Sequence, residues 1–192
     1  MGDSVQDRAK AAQLPEGDVI RVLLEQHAQI RDLFTKVNAS TGEAKKEAFD
    51  HLRALLAVHE TAEEMVLRPI TAKVVSESVA EARNNEEKEA NAVLSELEKL
   101  DVDDVDFATR FAAFHKSVDE HAEAEEHQEF DQVIATCDAQ QRQQMGTKIL
   151  AAEATAPTHP HPSVEPGSAK QRLVGPFAAM VDRAKDAFSK SH

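Results

Sequence analysis

Two His-x-x-x-Glu pairs, His59 with Glu63 and His121 with Glu125, are the residues of this sequence best suited to chemistry. Residues four apart on a helix project from the same face, so each imidazole and its carboxylate can reach one metal ion or bridge two. Imidazole and carboxylate together favour iron, manganese or zinc, whereas copper(I) would call for thiolate or thioether. The spacing alone is weak evidence, because an exposed i, i+4 ion pair has the same pattern.

The position of each pair within an apolar stripe favours a buried metal site over a surface ion pair. Leu52, Leu55 and Leu56 precede His59, and Phe111, Phe114 and Val118 precede His121, at three- and four-residue spacings. His27 interrupts another stripe that contains Leu23, Leu24 and Ile30. Three imidazoles and at least two carboxylates are costly to bury without a partner that needs them. We therefore expect them to meet around metal.

Four amphipathic segments would position these ligands. The periodicity predicts helices from Asp18 to Val37, from about Ala48 to Arg68, from about Ser78 to Leu100 and from near Asp106 to about Ile134. Asp18 is the expected N-cap of the first helix, and Pro69 should kink or briefly end the second. No strand pattern competes. The expected fold is therefore all-α, an antiparallel four-helix bundle, in which metal sites are built from facing helices.

The two ends of the chain have a different character. Residues 1–17 are interpreted as a polar leader, and residues 18–154 as the bundle with an extra helix at about 139–154 on its exterior. Residues 155–172, rich in proline and histidine, predict an extended linker. Residues 173–192 form a short amphipathic segment, with a helix predicted over 177–188. It could dock on the bundle, bind a protein partner or remain free.

Composition excludes several classes of function. A formal net charge of −13 and the lack of a basic stripe exclude nucleic-acid binding as a primary role. No glycine-rich phosphate loop or nucleophile elbow is present. The single cysteine, Cys137, cannot form an internal disulfide and suggests a reducing compartment. No signal sequence or membrane-length apolar run appears. We expect a cytoplasmic protein that does not bind membranes.

Three segments together resemble the hemerythrin-like, HHE cation-binding domain of the bacterial type. They are residues 23–31 around His27, residues 59–64 with Arg68 and Pro69, and residues 121–126 with Phe130. The resemblance covers roughly residues 18 to 136. It implies a bundle that holds two non-haem iron ions, bridged by oxo or hydroxo and carboxylate groups, with manganese or zinc as alternatives. The ligands that it implies are His27, His59, Glu63, His121 and Glu125.

The third helix departs from the pattern of this family. There the family supplies one or two histidines, whereas residues 84–91 contain none. Counting back from Leu94 and Leu97 puts the family's histidine at Glu87, with Glu86 as the neighbouring alternative. A carboxylate in place of a neutral imidazole adds negative charge and should stabilise ferric iron. A set of three histidines and three carboxylates resembles di-iron oxidases and peroxidases more closely than oxygen carriers.

Three functions follow as hypotheses. The leading one is a di-iron protein that binds or processes oxygen, hydrogen peroxide or nitric oxide, with catalase-like or peroxidase-like activity as the enzymatic form. The second is an iron- or oxygen-responsive sensor or storage protein that signals through its C-terminal segment. The third is a metal-free helical interaction module, for which replacing His59 by Leu should stabilise the fold.

Overall fold

The structure is a computed structural model that describes residues 2–155 and 177–190. Most of these residues lie in helices. The helices are α1 (Ser4–Ala11), α2 (Val19–Ala39), α3 (Gly42–Ala62), α4 (Arg68–Val74), α5 (Glu77–Leu97), α6 (Val105–Glu125), α7 (Asp131–Thr136), α8 (Ala139–Thr155) and α9 (Phe177–Lys190). No strand occurs among the described residues. The predicted all-α fold is confirmed: α2, the α3–α4 rod, α5 and the α6–α7 rod form an antiparallel four-helix bundle, joined by further helices.

Capping side chains fix where the bundle helices begin. Asp18 is the N-cap of α2, as predicted, and its Oδ1 accepts a hydrogen bond from the backbone N–H of Ile20 (3.0 Å). Ser76 caps α5 in the same way, with its Oγ accepting from the N–H of Val79 (3.2 Å). These caps satisfy backbone donors that a helix start leaves without partners, so they set the register of the ligand-bearing helices.

Two π-helical turns, Glu63–Leu67 and Glu126–Phe130, interrupt the long rods directly beside the His-x-x-x-Glu pairs. In the first, which ends shortly before Pro69, the N–H of Arg68 donates to the carbonyl of Glu63, five residues earlier. On a regular α-helix a residue five positions on would lie about 140° round the axis. The wider turn brings Arg68 back towards the face of Glu63.

Two apolar clusters lie on either side of a polar layer. One contains the rings of Phe34, Phe49, Phe107, Phe111 and Phe114, and the other contains Ile20, Leu23, Leu67, Val133 and Ile149. Along α2, His27 lies between Leu24 of the second cluster and Ile30 of the first. Along α3, His59 lies between Leu56 of the first cluster and Ala62 of the second. The polar side chains are therefore held between two packed cores, which limits their movement.

The ends of the chain contribute more structure than the sequence indicated. The predicted leader contains α1, which packs on α2 and buries Ala11 and Asp7. The predicted helix in the C-terminal segment is present as α9, which docks on α3 and α8 and buries Met180 and Ala184. The predicted linker lies, apart from Thr155, outside the described residues. None of the helices described is long and apolar enough to cross a membrane.

Candidate metal centre

The structure brings all six predicted ligands together as two overlapping groups of donor atoms. The first group is His27, His59, Glu63 and Glu125, and the second is Glu63, Glu87, His121 and Glu125. Within each group, one donor atom from every residue lies within 4.8 Å of the others. The carboxylates of Glu63 and Glu125 belong to both groups, which is the arrangement that two bridged metal ions require. The assignment of these residues as ligands remains a prediction.

Each shared carboxylate gives one oxygen to each group. In the first group, His27 Nε2 lies 3.4 Å from Glu125 Oε2, and His59 Nε2 lies 3.3 Å from Glu63 Oε1. In the second, His121 Nε2 lies 3.3 Å from Glu125 Oε1 and 3.8 Å from Glu63 Oε2. Glu87 Oε1 completes the second group at 3.9 Å from His121 Nε2. The contribution of the third helix is therefore Glu87.

A partner on another helix holds the Nδ1 atom of each of the three histidines. His27 donates to Glu126 Oε1 (3.2 Å), His59 to Gln26 Oε1 (2.9 Å) and His121 to Glu86 Oε2 (2.8 Å). Such bonds fix the tautomer and direct Nε2 to the centre, as outer partners do for metal-binding histidines. Glu86, the alternative ligand in the sequence, thus orients His121. Glu126, which is buried, likewise orients His27.

Several buried polar atoms of the donor groups make no hydrogen bond, and this fits a metal centre. His27 Nε2, His121 Nε2, Glu63 Oε1 and Glu125 Oε2 are buried, and no described residue gives them a hydrogen-bond partner. Unpaired buried polar atoms of this kind are destabilising, and native proteins contain few of them. All four face the centre and belong to the donor set. A metal ion would supply the missing interaction, and imidazole with carboxylate suits iron, manganese or zinc.

Burial and mutual repulsion shift the protonation of this cluster. Burial, reinforced by the charge of Glu125, raises the pKa of Glu63 to about 8. Burial opposes ionisation of Glu125 too, but His121 and Arg68 hold its pKa well below its ordinary value. Burial and the charge of His27 hold the pKa of His59 well below its usual range, so His59 is neutral. Neutral imidazole is the form that binds metal.

Arg68 is the main element of the site that the sequence did not identify as functional. Its guanidinium is buried and pairs with four carboxylates: Glu63 (3.2 Å), Glu87 (2.6 Å), Glu125 and Glu129 (2.9 Å). Burial opposes its charge, but these partners outweigh burial and raise its pKa further. The only sequence signal was a lone arginine before a proline on a ligand-bearing helix.

A second buried ionic cluster supports the centre from the N-terminal side. Arg31 pairs with Asp7 of α1, with Asp119 (3.2 Å) and with Glu126 (3.3 Å). Lys10 of α1 also pairs with Glu126 (2.6 Å). Burial opposes ionisation of Glu126, but His27 and Lys10 lower its pKa to about 2. Helix α1, absent from the sequence interpretation, therefore holds the carboxylate that orients His27.

A cavity of about 310 Å³ adjoins the cluster between α2, α3, α5 and α6. The ligands His27, His59, Glu87 and His121 line it together with apolar side chains that include Ile30, Leu56 and Val118. Glu89 and Glu120, both exposed, also line the cavity, which therefore reaches the surface. It is large enough for a molecule of two to four atoms.

Comparison with known proteins gives one match. The sequence model described as "Hemerythrin HHE cation binding domain" matches residues 18–154. No curated protein matches the chain, and no solved structure does. The matched span runs from the N-cap of α2 to the end of α8 and includes all six donor residues.

Proposed function

Because the chain belongs to the hemerythrin HHE cation-binding family, we propose that its bundle holds a two-iron centre that binds or processes oxygen, hydrogen peroxide or nitric oxide. The observation that carries the proposal is the pair of donor groups that share Glu63 and Glu125. Each ion would have two terminal ligands of its own, His27 and His59 for one and Glu87 and His121 for the other. Four protein donors per ion leave coordination positions for a small molecule.

The surrounding residues favour redox work over simple carriage. Iron held there would supply exchange of electrons with a small molecule that enters the cavity. Three carboxylates in the donor set bring negative charge, which favours the higher oxidation state. Apolar Leu56 and Val118 line the cavity, while Gln26 and Glu86 keep the imidazoles oriented. Peroxide dismutation is therefore the first reaction to test, and manganese or zinc are the metals to compare with iron.

Metal analysis of full-length protein expressed untagged in iron-supplemented medium tests the centre. We expect two irons per chain and near-ultraviolet absorption from a bridged ferric pair. Glu87→Ala should lower the content to about one iron per chain. Glu81→Ala, which removes an exposed glutamate of the same helix, is the matched control and should change nothing. Wild-type protein with no stoichiometric metal would refute the proposal.

A peroxide assay tests the reaction separately from the centre. Protein shown to contain two irons is mixed with hydrogen peroxide, and evolved oxygen is measured with an electrode. His59→Ala serves as the comparison, because it removes one ligand of the first group. Iron-loaded protein that evolves no oxygen would exclude catalase-like activity and leave binding of oxygen or nitric oxide to be tested by spectral change.

A sensor role is the second candidate, and the docking of α9 favours it. Ala184 packs against Val58, next to His59, and Lys185 pairs with Glu64 (2.8 Å), next to Glu63. A change at the ligands could therefore loosen α9. Hydrogen exchange of α9 with and without iron tests this role, and equal protection in the two states would exclude it.

A further inference from the structure

The guanidinium of Arg68 contacts the same carboxylate oxygens that surround His121 in the second donor group. Its Nη2 lies 3.2 Å from Glu63 Oε2 and 2.6 Å from Glu87 Oε1, and it also pairs with Glu125 Oε1. Those are the three oxygens that lie 3.3 to 3.9 Å from His121 Nε2. One cationic nitrogen therefore makes the contacts that a metal ion of the second group would make.

The first donor group has no such competitor on its own oxygens. Glu63 Oε1 faces His59, and Glu125 Oε2 faces His27. Neither oxygen has a hydrogen-bond partner among the described residues. The two groups therefore differ: the oxygens of the first are free to bind a metal ion, and those of the second are bound by Arg68.

Glu129 provides the place to which Arg68 can move. Arg68 Nη1 donates to Glu129 Oε2 (2.9 Å), and Thr71 Oγ1 donates to the same oxygen (2.6 Å). Glu129 is fully buried and belongs to neither donor group. Its other oxygen, Oε1, has no hydrogen-bond partner among the described residues. Arg83 Nε lies 3.9 Å from this oxygen, beyond hydrogen-bond distance. Arg68 can therefore keep one carboxylate partner and transfer Nη2 to an oxygen that makes no hydrogen bond.

We propose that Arg68 controls binding of the second metal ion, so that the two ions load in a fixed order. The first ion binds His27 and His59 with Glu63 Oε1 and Glu125 Oε2. The second binds at His121 and Glu87 only after Arg68 Nη2 has left the three oxygens. This inference rests on the proposed two-metal function and adds an order of loading and a residue that sets it.

Repulsion between two cations would by itself make the second ion bind more weakly. Unequal affinities are therefore not sufficient evidence, and the test must change Arg68. Loss of its charge should strengthen binding at both groups, because the carboxylates lose a counter-ion. Only the second group also loses a direct competitor for its oxygens. The ratio of the two dissociation constants therefore separates competition by Arg68 from the general effect of its charge.

The experiment is an anaerobic calorimetric titration of full-length protein, stripped of metal, with Fe(II) alone. Wild type should show two steps separated by about tenfold or more in Kd. Arg68→Met should reduce that ratio by about tenfold, because charge-assisted hydrogen bonds to the carboxylates no longer compete. Arg53→Met is the control: Arg53 is another buried arginine of the same rod, paired with Asp50 and Glu98 (2.7 Å) away from the donor groups. It should leave the ratio unchanged.

Two ligand variants keep the proposal testable if Arg68→Met does not fold. His27→Ala should abolish the tight step and His121→Ala the weak one. The opposite assignment, or an unchanged ratio in Arg68→Met, would overturn the proposed order. Wild type that binds no Fe(II) would instead refute the two-metal function, so the two failures are distinguishable.

Discussion

The amide of Gln26 offers a sharp test of how the centre is built. Gln26 is 2% exposed, and its Oε1 accepts a hydrogen bond from His59 Nδ1 (2.9 Å). Its Nε2 has no hydrogen-bond partner among the described residues. One half of this amide orients a ligand, and the other half is a buried donor without an acceptor. Gln26→Leu removes both the acceptor Oε1 and the unpaired donor Nε2 at nearly constant side-chain volume.

These two effects should nearly cancel in protein without metal. Loss of the hydrogen bond leaves the His59 N–H unpaired at a cost of about 1 to 3 kcal/mol, and removal of the unpaired amide donor recovers a similar amount. The free energy of unfolding should therefore change by less than about 1.5 kcal/mol. Metal binding should suffer more, because loss of such an outer partner typically lowers metal affinity about 10- to 100-fold, or about 1.4 to 2.8 kcal/mol.

Two assays on one preparation separate these quantities. Urea denaturation in excess chelator gives the stability without metal, and Fe(II) titration gives the affinity. The control is Gln29→Leu, which replaces an exposed amide three residues further along α2. It should change neither the stability nor the iron affinity by much. Unchanged iron affinity in Gln26→Leu would refute the reasoning. A loss of stability above about 3 kcal/mol in chelator would show a structural role instead.

Three further predictions concern stability. Burial lowers the pKa of His27, but the nearby carboxylates of Glu125 and Glu126 outweigh burial and raise it from 6.5 to about 9. Its stabilising contribution, on the order of 3 kcal/mol, is thus complete below pH 6.5 and lost as the pH rises to 9, which urea denaturation in chelator across that range checks. Asp7→Ala should cost about 2 kcal/mol, because Arg31 loses its partner on α1 but keeps Asp119 and Glu126; a Tm that does not fall would contradict this. Met180→Ala should cost about 2 kcal/mol by thermal denaturation without changing iron content, because Met180 packs in the apolar cluster around Phe34 and belongs to neither donor group.

The fold and the placement of the ligands could be predicted because both depend on regular helical spacing. Apolar residues that recur at three- and four-residue spacings before His59 and His121 direct those side chains inward whatever the details of packing. Counting along α5 from Leu94 and Leu97 brought Glu87 to the same layer, where the structure has it beside His121. In an uninterrupted helix, the period of 3.6 residues per turn determines which side chains share a face.

The surroundings of the ligands could not be predicted in the same way. Arg68 reaches the centre only because the π-helical turn departs from the α-helical period. Ion pairs made by Asp7 and Lys10 join helix α1 to the bundle. Because α1 has few apolar residues, its sequence shows no apolar stripe from which a packed helix could be predicted. Glu126 is buried in contact with His27 and Arg31 of α2 and Lys10 of α1. Each of these features depends on contacts between segments distant in sequence.

The charge of the centre explains why one arginine affects both folding and loading. Glu63, Glu125 and Glu129 are fully buried, and buried carboxylates without a counter-ion strongly oppose folding. Arg68 pairs with all three, so the bundle has a buried cation of its own whether or not metal is bound. The same pairing must weaken before those oxygens can serve a second ion. We therefore expect the chain to keep its fold without iron and, if two ions bind as proposed, to release the second ion first.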